Sequence, residues 1–164
     1  MTEPTGPVGP PRPVDPDVDL HVPAQRGEPA RAPWSTLGVI AAGGAAGALA
    51  RHALSTAFPH TPGRFGWAIF AVNVGGCLLI GVLMVAITEV WRAHPLTRPF
   101  LGVGVLGGFT TFSTHIVEAQ DALAAGAPRT ALAYLAGTLL AALVAVYTGA
   151  TATRALARSA GRLR

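Results

Sequence analysis

The sequence predicts an all-α membrane protein of four transmembrane helices, the third broken near Gly107 to Thr111, and three observations carry that prediction. Of the 164 residues, 51% are hydrophobic and 12% charged, where soluble domains carry about 25% charge. Four apolar stretches, separated by short polar turns, are each long enough for about 30 Å of hydrocarbon at 1.5 Å per residue. Inside the third lies Gly107-Gly108-Phe109-Thr110-Thr111-Phe112-Ser113-Thr114-His115, where four hydroxyls and an imidazole replace the expected aliphatics.

Residues 1–33 hold nine of the fourteen prolines, five acids and three arginines, with no apolar run suited to a signal-peptide core. Such a composition cannot bury enough apolar surface to offset chain entropy, so a disordered tail is expected, and its deletion should leave activity nearly intact. The membrane domain then covers 34–153, with spans at 34–56, 65–88, 99–118 and 131–150, and a basic tail at 154–164.

The first span starts at the interfacial ring of Trp34 and continues through Leu37 to Ala50, fourteen uncharged residues. Gly43 and Gly47 lie four apart on one face, a spacing that permits close helix packing in lipid. Arg51 is expected to snorkel to the headgroups, with attraction of anions into a vestibule as the other reading. Phe58 to Arg64 reads as a turn, and Phe65 to Thr88 follows without a charge over 24 residues. Asn73 is its one strong polar group, open either to a helix–helix hydrogen bond or to a role as anion donor. Cys77, the single cysteine, reads as packing. The third span begins at Pro99, and residues 121–129, with Gly126 and Pro128, form the next turn. Ala131 to Ala150 is the fourth span.

Four spans place both termini on one side. Eight arginines near membrane ends fall on that side (Arg26, Arg31, Arg92, Arg98, Arg154, Arg158, Arg162 and Arg164), against Arg64 and Arg129 on the other. The positive-inside rule therefore predicts cytoplasmic N- and C-termini in a cell membrane.

Two glycines followed by Thr-Thr weaken a helix. A helix broken within the membrane offers carbonyls at one end and amides at the other, and such ends bind ions. Phe112 and His115 fall on one face if the helix resumes, beside Ser113 and Thr114. Aromatic edges, the Asn73 amide and hydroxyl donors suit a small anion better than a cation. An ordinary core with back-bonded threonines is the other reading of the same residues.

Several classes are excluded. No basic block apart from the membrane segments suggests a nucleic-acid partner. No nucleophile, paired-carboxylate or metal-ligand spacing suggests an enzyme. A small multidrug-type transporter is expected to carry an intramembrane carboxylate, and the predicted spans carry none before the third ends at Glu118.

The run Gly107 to Thr114 resembles the signature of the CrcB (Fluc) fluoride channel family. Weaker matches follow in the same order: Gly44-Ala-Ala-Gly47-Ala48-Leu-Ala-Arg51-His52, Val72-Asn73-Val-Gly75, and Tyr134 with Thr138. The resemblance covers about residues 37–150. It implies an antiparallel dimer with two fluoride pores, a structural sodium ion at its centre, no organic cofactor, and passive export of cytoplasmic fluoride. It also implies that the carbonyls of Gly107 and Thr110 hold sodium, that Phe112 is a pore phenylalanine, that Asn73 donates to fluoride, and that Ser113, Thr114, Tyr134 and Thr138 form a polar track. The chain departs from the family at His115, where a second pore phenylalanine is usual, and at Ile69, where a threonine is common. His115 is retained as a pathway residue able to make flux sensitive to pH. Because antiparallel insertion of one chain requires balanced loop charge, the arginine bias favours pairing with a related, oppositely oriented subunit over pairing with itself. The alternative function is a non-conducting structural subunit of a heterodimeric fluoride channel or another membrane complex.

Overall fold

The computed structural model describes residues 34–91 and 93–161; the N-terminal tail and Arg26, Arg31, Arg92, Arg162 and Arg164 lie outside the described residues. Among the described residues four helices are long and apolar enough to cross a membrane: α1 (Trp34–Ala57), α2 (Trp67–Val90), α3 (Arg98–Ala124) and α4 (Pro128–Ser159). The chain is thus an all-α, multi-pass membrane protein. Trp34, Trp67 and Trp91 stand exposed at helix ends, where amphipathic rings prefer the interface.

Lipid supplies no hydrophobic drive between helices, so close backbone approach and hydrogen bonding hold such a bundle together. Glycines create both main seams. On α1 only Gly43 and Gly47 are buried, and a Cβ on either would strike the α3 backbone, at Phe100 O and at Val105 O respectively. Gly104 and Gly108 of α3 return the contact, against Ile40 O and Gly44 O. The α2–α4 seam repeats the device with Gly81 against Val146 O and Gly149 against Leu78 O. Gly47→Val should therefore separate α1 from α3, since overpacking costs about 1–3 kcal/mol or more where backbone blocks relaxation. Loss of the monodisperse peak in detergent chromatography is the expected readout, with Gly38→Val, whose site has open space around it, as the unaffected control.

Two helices run further than their apolar stretches. Ala119-Gln120-Asp121-Ala122-Leu123-Ala124 contains no breaker, so α3 continues past Glu118 and turns only at Ala125–Ala127, where Gly126 takes φ +73. This places Glu118 inside the third helix, buried at 7% exposure, and corrects the expectation that no carboxylate lies within a span. Likewise α4 extends to Ser159 through good helix formers, so Arg154 and Arg158 are helical rather than part of a loose tail. Arg154 Nη2 and Nε reach the Glu89 carboxylate at 2.7 and 2.9 Å, tying α4 to the end of α2. The pair is partly exposed (44% and 33%), and solvated ion pairs contribute little. Glu89→Ala should leave the detergent melting temperature within error.

Candidate functional site

The break in α3 is a short extended step. The first half winds as a π-helix over Arg98–Leu106 and closes with Gly107–Phe109. Thr110 then adopts φ −77, ψ 156, and the helix resumes at Ser113–Ala124. Backbone groups freed by such a step must find partners in a membrane. Asn73 on α2 supplies them: its Nδ2 donates to Thr111 O and its Oδ1 accepts from Thr111 N, both at 2.9 Å. The amide is thus a two-point clamp across the break. One Nδ2 hydrogen remains, because a primary amide has two donors.

The break also frees carbonyls from their helical donors. In an unbroken helix Thr111 N–H would bond Gly107 O, but it goes to Asn73. Thr114 N–H would bond Thr110 O, but it goes to Thr111 Oγ1 at 3.3 Å. Phe112 N–H and Ser113 N–H likewise make no bond to Gly108 O and Phe109 O, so four carbonyls lose their helical donors, those of Gly107 and Thr110 among them. Both residues line the same cavity, at the negative end of a half-helix. Arg51 reaches the same region from α1, its Nε donating to Gly108 O at 3.2 Å. Arg51 therefore turns inward to the end of the half-helix instead of extending to the headgroups.

A cavity of about 610 Å³ opens beside the break. It gathers Asn73, Gly107, Thr110, Phe112, His115 and Thr138 from the predicted set, with Thr111, Cys77 and three apolar residues of α4. Ser113 and Thr114 do not line it. Their hydroxyls meet Thr111 Oγ1 at 3.3 and 3.2 Å, forming a hydroxyl cluster at the start of the second half-helix. Phe112 projects outward, 77% exposed, with Ser113 exposed beside it. Thr138 Oγ1 is buried and donates to Tyr134 O at 2.7 Å, the back-bonded arrangement common for helical threonine. Ile69, one turn before Asn73, is 1% exposed and packs as core.

Tyr134 stands behind His115, at 4.4 Å between ring centroids. It is 2% exposed, and its hydroxyl donates to Glu118 Oε2 at 2.5 Å. Glu118 and Thr111 join the site although neither is among the residues predicted for it. A signal for each was present: Glu118 lies three residues after His115, on the same helical face, and Thr111 heads a Thr-x-Ser-Thr run able to cap the resumed helix.

The chain matches the family model described as CrcB-like protein, Camphor Resistance (CrcB), over residues 38–150. It is 53% identical over 125 residues to a Streptomyces avermitilis protein named "Fluoride-specific ion channel FluC 2", covering 76% of this chain and 79% of that one. A Nocardia farcinica protein of the same name is 54% identical over 129 residues, with 77% and 92% covered. "Fluoride-specific ion channel FluC 1" of Streptomyces coelicolor is 53% identical over 130 residues, with 77% and 84% covered. Both the broken third helix and the Asn73 clamp fall within the matched residues, and the chain belongs to the CrcB-like family.

Proposed function

We propose that this chain is a subunit of a fluoride channel that lets the anion leave the cytoplasm by passive diffusion, and that it is not an enzyme. The observation that carries the reading is the Asn73 clamp. It stabilises a helix break beside a cavity whose wall offers an amide N–H, a phenylalanine and an imidazole, in a chain similar to proteins named as fluoride-specific channels. Weak N–H donors and aromatic edges hold an anion loosely enough for release. Co-expressed with an oppositely oriented paralogue in cells stripped of their own fluoride export, the chain should restore growth in fluoride, and Asn73→Leu should not.

The carbonyls of Gly107 and Thr110 are the candidate sodium ligands, as hard oxygens at a helix end suit a hard cation. Bound there, sodium would supply a fixed positive charge that holds two half-helix ends together. Two oxygens are too few for a complete shell, which is one reason to expect a second subunit. The exposed Phe112 and Ser113 are another, because a serine and the edge of a polar cavity would otherwise meet lipid. That subunit is read as a related, oppositely inserted chain. Eight arginines against two favour cytoplasmic termini for this chain, whereas self-pairing would require half the copies to insert against that bias. Relatives carry the names FluC 1 and FluC 2. Purified alone, the chain is expected to conduct poorly, and a fully conducting homodimer would overturn the pairing.

A further inference from the structure

His115 is 6% exposed, and its Nδ1 is buried with no hydrogen-bond partner among the described residues. An unpaired polar atom costs about 1–3 kcal/mol when buried, so the site is built for something the protein alone does not supply. That atom belongs to a side chain in the wall of the cavity that holds Asn73. The charges around it are few. On its own helix Glu118 lies one turn on; from α4 only Tyr134 faces it, donating to Glu118. From α2 the polar neighbours across the cavity are Asn73 and Cys77. His60 and Arg64 of the α1–α2 loop line a separate cavity of about 410 Å³ that ends on Glu118, and Arg51 is engaged at Gly108 O.

We propose that His115 is a proton-binding site in the wall of the anion path, with Glu118, held by Tyr134, as the charge that stabilises its imidazolium form. This rests on the fluoride-channel reading. In the neutral ring one nitrogen is a lone-pair acceptor that repels an anion. When it takes a proton from hydronium and water is left, both nitrogens become donors and the wall gains a full positive charge. In a site of low dielectric that charge holds fluoride more tightly, and conduction requires that the ion leave. Acidification therefore raises apparent fluoride affinity and lowers maximal flux. By thermodynamic reciprocity, fluoride must in turn make the imidazole hold its proton to higher pH.

The full chain, reconstituted in the form that conducts, would be assayed for fluoride efflux at about pH 5.5 and about pH 8, either side of the ordinary imidazole value. Maximal flux should fall by about threefold or more at the lower pH, the size of effect a neighbouring unit charge produces on ion release. His115→Phe should give a flat profile. Glu118→Gln keeps an acceptor for Tyr134 but removes the charge, and should move the midpoint of the flux profile to lower pH. A readout free of conduction is nuclear magnetic resonance of histidine-labelled protein, with the His115 signal identified by its loss in His115→Phe. Fluoride, but not chloride, should shift the pH at which that signal titrates. Equal and measurable flux at both pH values, or a His115 titration unmoved by fluoride, overturns the proposal. Absent flux at every pH together with a fluoride-dependent titration would count against the channel reading and support this one.

Discussion

Asn73→Leu is expected to abolish fluoride transport and to loosen the bundle at the same time. The substitution leaves Thr111 N–H and C=O without partners at the break. Each unmade bond to buried backbone costs about 1–3 kcal/mol, and 1.4 kcal/mol is a factor of ten in an equilibrium. Two such losses are enough to depopulate the broken conformation by about thirtyfold or more. Asn73→Asp separates the two roles of the amide. An aspartate can still accept from Thr111 N–H, but it has no Nδ2 to donate and brings negative charge to the cavity. Stability should fall less than for Asn73→Leu, while fluoride flux should disappear equally. If Asn73→Asp conducts normally, the amide serves the fold alone and the anion path lies elsewhere.

The second large effect concerns assembly. Co-expression with an oppositely oriented paralogue should yield a stable, conducting pair, whereas the chain alone should give little flux. Loop charge favours this pairing, as does the outer face of the α3 break, where Phe112 and Ser113 project from the bundle. Placing a bulky charge there, as in Ser113→Arg, should leave the fold of one subunit intact and prevent pairing, read as a change from dimer to monomer by cross-linking in detergent. A conducting Ser113→Arg chain would show that this face is not the interface.

The spans were legible because hydropathy and length suffice for them, and the seam glycines Gly43 and Gly47 because both partners of the pattern lie on one helix. Gly81 and Gly149 were not, since each meets the backbone of a helix distant in sequence and leaves no local spacing. Asn73 and the Gly107 to Thr111 break were visible as polar groups where lipid is expected. That they bond to each other was not, because a hydrogen bond between α2 and α3 depends on helix rotation. The ends of α3 and α4 were underestimated for a simple reason: polar residues that form good helix, such as Gln120 and Asp121, look like a turn when hydropathy is the guide. That error hid the bond between Tyr134 and Glu118. Arg51 shows the same limit, as its direction is set by the carbonyl of Gly108 and not by its distance from the helix end.

The most direct test is anion efflux from proteoliposomes containing this chain with its paired subunit, followed with a fluoride electrode and, in parallel, a chloride electrode. The account predicts rapid, electrically driven fluoride efflux, negligible chloride efflux, and loss of the fluoride signal on Asn73→Asp. Equal passage of both anions, or no fluoride efflux from the assembled pair, would contradict it.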